Sequence, residues 1–453
     1  MNLIPFVHEG LGNSSYLVAA GNGAAVLVDP DRTVQRYVDA AEERGWRITS
    51  VLETHLHADF VSGAHELAAV LGAKLFIPHD AAVRLDHQPV AGAEQFALDG
   101  LQVEVIASPG HTPEHMSYAV RAAAGPPSLF SGGSLIVGGA ARTDLIAPEM
   151  TEPLSRAQYR TLKTAFSALP GETVLYPTHG GGSFCSAGAG DQRTSTIGEQ
   201  RATNPLLTSS GDEDAFVRWF PTTFPAVPAY YARMRAVNQA GPALRGDIAP
   251  PPPVSPLDFD AARSHTVIVD VRPVEEYMRA HIPGSLSIPF RDAYAVWLGW
   301  LVPEGAALLF VMGDVPVGPV VDESLLVGYE RFGGVLEGGI PAWLAADLPL
   351  ASAGLVDAVG ARRSLQEGAV ALDVREPDEY AAGHLPGAVH IPLGQLAARN
   401  GELPRDRPIV TYCGHGERAA TALSLLEQAG LTPLANLGGG IEAWEAAPLP
   451  VER

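Results

Sequence analysis

The sequence predicts an α/β protein of three domains, on three observations. Short β-branched and apolar runs alternate with helical stretches from end to end. The last two hundred residues carry one pattern twice. A run of four prolines, Pro250-Pro251-Pro252-Pro253, with Pro256 close behind, separates that duplicated part from what precedes it and reads as a stiff extended spacer. A chain of 453 residues has room for about three domains of roughly 100–200 residues each. The expected boundaries are 1–205, a helical segment with the proline-rich linker over 206–254, then 255–352 and 353–453.

In the first region, Ala24–Val28, Ile48–Leu52 and Leu101–Ile106 read as strands and Val34–Arg44 as a helix. Directly after the second of these strands comes Thr54-His55-Leu56-His57-Ala58-Asp59-Phe60-Val61-Ser62-Gly63. Two histidines and an aspartate at alternating positions after a strand end put imidazole and carboxylate donors into one mouth, a set that suits a transition metal. The pattern resembles the H-x-H-x-D-H signature of the metallo-β-lactamase superfamily, with Phe60 in place of the final histidine. Two further elements fit the resemblance: Ser108-Pro109-Gly110-His111-Thr112-Pro113-Glu114-His115 and Tyr176-Pro177-Thr178-His179-Gly180. The resemblance implies an αββα sandwich and a metal site drawn from His55, His57, Asp59, His111 and His179. Ala141-Arg142-Thr143-Asp144 matches the G-R-T-D ending of the persulfide dioxygenase and glyoxalase II branches. Within Phe130-Ser131-Gly132-Gly133-Ser134-Leu135, Gly133 stands where the family carries a metal-binding aspartate. Ser62, Thr112 and Arg142 are expected behind the ligands, and His65 on a helix away from them. His115 is expected at a surface helix start or, alternatively, against the ligands or the substrate. Cys185, six positions after His179, reads equally as a sulfur relay or as apolar filler.

In the duplicated part, Val269-Asp270-Val271-Arg272 recurs as Leu372-Asp373-Val374-Arg375, and His281-Ile282-Pro283-Gly284 as His384-Leu385-Pro386-Gly387, both offset by 103 (373 − 270, 384 − 281). Gly338-Gly339-Ile340-Pro341-Ala342-Trp343 recurs as Gly439-Gly440-Ile441-Glu442-Ala443-Trp444. A repeat of this length is a duplicated domain, and its alternating strands and helices imply small parallel sheets. The D-V-R … H-[IL]-P-G … G-G-x-x-A-W pattern resembles the rhodanese family. In the second repeat, Tyr412-Cys413-Gly414-His415-Gly416-Glu417-Arg418 places a cysteine between a strand and a helix. Backbone N–H groups and a helix N-terminus there favour the thiolate, the nucleophilic form. Gly414 and Gly416 let the loop curl, and Arg418 adds charge. Cys413 is thus expected to carry sulfane sulfur as a persulfide. Met312 stands opposite it in the first repeat by the offset of the tryptophans (444 − 343 = 101); a thioether holds no persulfide, so that repeat is expected to be silent and to serve as structure or interface.

Together the resemblances imply an enzyme of sulfur metabolism, like the bacterial persulfide dioxygenase–sulfurtransferases. Persulfide and O₂ would give sulfite and thiol on Fe(II) held by His55 and His111, and Cys413 would transfer sulfur. Three readings of the centre stay open: water, Asp59 or His57 substitutes at the place of Gly133; the domain is a metal-free relic; or Zn on His55, His57 and His111 supports a thioester hydrolase. Expected partners are small persulfides and thiols of the glutathione kind, with sulfite or thiosulfate. A formal charge of −21 disfavours nucleic acid and anionic membranes. Two cysteines make no disulfide framework, and the chain reads as cytoplasmic and compatible with a homo-oligomer.

Overall fold

Two six-stranded sheets, stacked face to face, follow from strands that are apolar on both sides. In Asn13–Ala19 and Ala24–Val28, successive residues alternate between two cores, as a period of two requires. Leu17, Ala19, Ala25 and Leu27 face Tyr37, Ala41, Ala64 and Leu67 of the helices Gln35–Glu42 and Ala64–Leu71. Tyr16, Val18, Val26 and Val28 face the other sheet, meeting Val103, Val105, Tyr118, Val120 and Phe130. That sheet's opposite face, with Ala119, Leu129 and Leu175, is covered by Leu162, Phe166, Ile197, Leu206 and Phe216. The αββα sandwich is therefore present. In this computed structural model the described residues are 1–122, 125–187, 190, 192–208, 211–432 and 434–453. They form two compact units, Met1–Ile248 with Asp322–Gly328, and Ala249–Val321 with Tyr329–Arg453.

In the first unit, Ala24–Val28 pairs in parallel with Arg47–Leu52, and Ser128–Gly132 with Val174–Pro177. The carboxyl ends of these four strands deliver Asp29, Glu53 and Thr54, Gly133, and Thr178 to one rim. Asp29, buried and at φ +48°, ties the rim together. Its carboxylate accepts Thr54 N–H at 2.7 Å, Thr54 Oγ1–H at 2.7 Å and the Thr178 hydroxyl.

The second unit holds two five-stranded sheets with the same strand order. In the first repeat this runs Pro253–Val254, Phe332–Leu336, Leu308–Val311, Val267–Asp270, Leu286–Ser287. In the second it runs Gly354–Val356, Leu434–Leu437, Ile409–Tyr412, Val370–Asp373, Val389–His390. Every adjacent pair is parallel. The spacer prolines end as an edge strand, where a missing N–H does no harm: Pro252 O accepts Val335 N–H at 2.8 Å. The repeated motif residues are structural. Arg272 and Arg375 fork onto Asp270 and Asp373, with Nη2–Oδ2 at 2.6 Å in both, and each also caps a carbonyl, Ala280 O or Gly383 O. Trp343 and Trp444 donate Nε1–H to Pro349 O and Pro450 O. The repeats pack against each other through Tyr277, Met278, Ala420 and Leu423. Among the described residues no helix is long and apolar enough to cross a membrane.

Candidate metal centre and sulfur-transfer loop

His55, His57, Asp59, His111 and His179 come together at the rim of the first unit, each exposed by 1% or less. Donor atoms of His55, His111 and His179 lie within 4.8 Å of one another, as do those of His57, Asp59 and His179. The side chains are held from behind. His55 Nδ1 is 2.8 Å from Thr54 Oγ1, His111 Nδ1 donates to Arg142 O at 2.6 Å, and His179 Nδ1 is 3.0 Å from Asn13 Oδ1. Asn13 Nδ2 in turn donates to Asp59 Oδ2 at 2.7 Å. Outer partners of this kind fix the tautomer and orientation of metal-binding imidazoles. His57 is turned the other way: its Nε2 meets Glu53 Oε2 at 3.1 Å and Asp29 Oδ1 at 3.4 Å, and Phe60 stacks on its ring at 4.2 Å. Two buried polar atoms, His57 Nδ1 and Asp59 Oδ1, have no hydrogen-bond partner. An Asp59 carboxylate oxygen left without a partner inside a histidine cluster fits a metal ion, since a buried polar atom left unpaired costs about 1–3 kcal/mol.

The electrostatics divide the same residues. Burial, then the neighbouring His57, holds the His55 imidazole well below its ordinary range. Burial and His179 push His111 down to about 3. Both are neutral, the state in which imidazole binds metal. Burial also works against the His57 cation, but Asp29 and Glu53 outweigh it and raise His57 to about 10. Burial opposes the Asp59 charge, but the His179 Nδ1–H beside it, with the Asn13 amide, outweighs burial and holds Asp59 well below the ordinary carboxylate range.

In the second unit, Cys413 follows the strand Ile409–Tyr412 and precedes the helix Glu417–Gln428, with its side chain buried. Gly416 N–H donates to Cys413 Sγ at 3.1 Å, and Gly416 sits at φ +119°, a conformation that requires glycine. Gly440, at φ +58°, presses so closely that an added Cβ would lie 2.3 Å from Cys413 O and from Gly414 O. Arg418 forks onto Glu379 through two bonds of 2.7 Å, and His415, largely exposed, pairs with Glu442 at 2.8 Å. Beside the loop lies a cavity of about 320 Å³. Its walls come from both repeats, with Pro273, Phe290 and Arg291 from the first and His415, Glu417 and Asn436 from the second. Met312 follows Leu308–Val311 as Cys413 follows Ile409–Tyr412.

Residues 8–179 match the Metallo-beta-lactamase superfamily, and residues 257–346 and 358–447 each match the Rhodanese-like domain. A "Sulfurtransferase" of Allochromatium vinosum is 39% identical over 85 residues, 19% of this chain and 79% of that protein. The chain is a metallo-β-lactamase domain followed by two rhodanese-like domains. The human mitochondrial "Persulfide dioxygenase ETHE1" is 28% identical over 191 residues, 42% of this chain and 68% of that protein. A metallo-beta-lactamase crystal structure from Staphylococcus aureus is 27% identical with a TM-score of 0.66, covering 74% of this chain and 98% of that one.

Of the two places the sequence allowed for His115, the structure takes the second, against the histidine cluster. His115 is neither exposed nor on a helix: it is fully buried before the strand Met116–Arg121, stacked on His55 at 4.8 Å. Its Nδ1 meets Ser108 Oγ at 2.9 Å and its Nε2 accepts Gly133 N–H at 3.0 Å. Thr112 is buried, with Oγ1 unpartnered. Ser62 and Arg142 stand behind the histidine cluster, Ser62 through Glu53 to His57 and Arg142 through its carbonyl to His111. His65 is on its helix, with Nδ1 2.8 Å from Pro242 O. The Cys185 thiol is buried and pushed well above its ordinary range, first by burial and then by Asp59. Sequence reasoning missed Asn238 and Tyr230, which lie beyond the matched residues. Asn238 Nδ2 donates to His57 O at 2.9 Å and Phe60 O at 3.0 Å, Asn238 Oδ1 accepts Ser62 N–H at 2.9 Å, and Tyr230 donates to Asp59 O at 2.9 Å. The signal was available only as a polar residue on an otherwise amphipathic helix, Tyr231–Ala240.

Proposed function

We propose that the chain is an enzyme of persulfide metabolism that oxidises a small-molecule persulfide in its metallo-β-lactamase domain and transfers sulfane sulfur through Cys413. The observation that carries this reading is the presence in one chain of a buried, pre-oriented histidine cluster and a glycine-rich cysteine loop that hydrogen-bonds its own sulfur. The likeness to a persulfide dioxygenase over the first domain and to a sulfurtransferase over the last supports it.

An iron ion fits the histidine-rich donor set and would supply the activation of O₂ with open positions for substrate. The residues of this chain hold the imidazoles in their metal-binding tautomers, keep bulk water from the buried cluster, and place the Asp59 carboxylate beside it. The overall reaction is RSSH + O₂ + H₂O giving RSH and sulfurous acid, ionised to sulfite. In the rhodanese domain the Cys413 thiolate attacks the sulfane sulfur of thiosulfate. The S–S bond breaks, sulfite leaves with the electron pair, and Cys413 keeps the sulfur as a persulfide. A small thiolate then removes that sulfur, and the same steps run in reverse with sulfite as acceptor. The 320 Å³ cavity beside the loop suits small donors and acceptors of this kind.

The test is oxygen uptake by anaerobically purified protein given glutathione persulfide. Consumption of O₂ with matching sulfite release, in protein that contains iron, is the expected result. Absence of uptake, together with thioester cleavage that survives Cys413→Ser in zinc-containing protein, would refute it in favour of a hydrolase.

A further inference from the structure

We infer that the metallo-β-lactamase domain binds a single divalent transition-metal ion through His55, His111 and His179, with His179 supplying the ligand that a carboxylate at position 133 would otherwise give. The inference specifies the ligands of the centre proposed above.

The hydrogen-bond network fixes the three tautomers. Arg142 O can only accept, so His111 carries its proton on Nδ1. Asn13 commits its NH₂ to the Asp59 carboxylate, so the Asn13 oxygen faces His179 and accepts from Nδ1–H. Thr54 gives its hydroxyl proton to Asp29, so its oxygen accepts from His55 Nδ1–H. Each ring is left with a bare Nε2. His55 Nε2 and His179 Nε2 nonetheless face each other at 3.2 Å. In the neutral rings no proton is left to bridge these two lone pairs, because each Nδ1–H is already committed to the partner behind it. The separation is that of two nitrogens sharing one ion at about 2.0–2.1 Å.

Position 133 argues the same way from the other side. A Cβ there would lie 2.6 Å from His111 Cδ2 and 2.9 Å from Ala141 Cβ. The place of a side chain at 133 is thus taken by His111 itself, and the Gly133 N–H is tied to His115. His57 and Asp59 flank the trio with one unpartnered atom each, but Phe60, stacked on His57 at 4.2 Å, has no donor atom to give a second ion. Three neutral imidazoles leave the ion's charge uncancelled by the trio, which favours an anionic sulfur ligand such as a persulfide.

The test is titration of the metal-free full-length protein with Co(II). One ion per chain is expected. His179→Asn should weaken binding by about 100-fold or more, since even outer-sphere losses cost about 10–100-fold. Gly133→Asp should weaken it by about 10-fold, because the new side chain displaces His111. Tighter binding in Gly133→Asp with unchanged binding in His179→Asn, or two ions per wild-type chain, would overturn the inference. Should His179→Asn fail to fold, pulsed EPR of Cu(II)-loaded wild-type protein decides: three coupled imidazoles are expected, and two refute it. Oxygen uptake separates this inference from the function. Uptake that persists in His179→Asn sinks the ligand assignment alone, whereas tri-histidine binding without uptake sinks the dioxygenase alone.

Discussion

Asn238 offers a sharp test of how the loop His55–Ser62 is held. Its side chain closes three hydrogen bonds, of 2.9, 3.0 and 2.9 Å, to His57 O, Phe60 O and Ser62 N–H, from a position only 6% exposed. Asn238→Ala removes all three and leaves two carbonyls and an N–H to find water. At roughly 0.5–1.5 kcal/mol net for each bond the loss is about 2–4 kcal/mol. For a unit of some 250 residues that lowers Tm by roughly 4–15 °C. Calorimetry of the full chain reads the global shift, and hydrogen exchange of peptides spanning 54–63 reads the local one. The two should move together, with metal affinity down about 10–100-fold, the effect expected of a group that positions ligands. A Tm within 1 °C of wild type with unchanged exchange would show that the loop is held by its other bonds, such as those of Asn13 and Tyr230 to Asp59, and that Asn238 is incidental.

Cys413→Ser should abolish thiosulfate-dependent sulfurtransfer while leaving the metal content of the first unit unchanged; residual transfer measured as thiocyanate formation from cyanide would refute Cys413 as the carrier. Gly440→Ala places a Cβ 2.3 Å from Cys413 O and Gly414 O, so the same assay should fall by more than about 10-fold while circular dichroism stays near wild type. Glu379 is drawn below the ordinary carboxylate range: burial opposes its charge, but Arg418 outweighs burial. A depressed folded-state value means that the pair stabilises above the unfolded value, about pH 4.5, and that this contribution disappears as pH falls through the folded value. Glu379→Gln should therefore flatten the loss of stability of the second unit between pH 5 and 3, read as Tm against pH; an unchanged slope refutes the pairing.

The fold was legible because its signals are periodic and local. Strands such as Ala24–Val28 are apolar at every position, which marks a sheet covered on both faces, and the repeated D-V-R and G-G-x-x-A-W segments announce one domain built twice. The cysteine loop was legible for the same reason, since Cys413, Gly416 and Arg418 lie within six consecutive residues. The metal centre was only half legible. Five candidate donors could be named, but not which nitrogen each imidazole would offer, because Arg142 and Asn13 decide that for His111 and His179 from distant positions, and Asp29 decides it for His55 by orienting Thr54. His115 was left between two placements because a histidine beside Pro113 and Glu114 looks like a solvated turn, and only the fold shows Ser108, Gly133 and His55 closing around it. Asn238 lay 176 positions from Ser62, a separation at which no pattern carries information.

The first repeat, with Met312 in the place of Cys413, acts as an internal control on the second. Both keep the buried Asp–Arg fork and the tryptophan bonded to a proline carbonyl, so these residues serve the rhodanese fold whether or not sulfur is carried. The Glu379–Arg418 pair behaves differently. With the offsets of 103 and 101, Glu379 corresponds to Glu276 (379 − 103) and Arg418 to Val317 (418 − 101). The first repeat thus retains the carboxylate and has lost the cation, along with the cysteine at Met312 and the glycine at Val315 (416 − 101). Glu276 there reaches only to Arg272, at 4.0 Å. A fold-stabilising ion pair would have had the same reason to persist in both repeats as the Asp–Arg fork. Its loss together with the sulfur-bearing residue ties Arg418 to the Cys413 loop. There a cation clamped by Glu379 sets the start of the helix that the sulfur faces, and it is not a free charge waiting for an anionic donor.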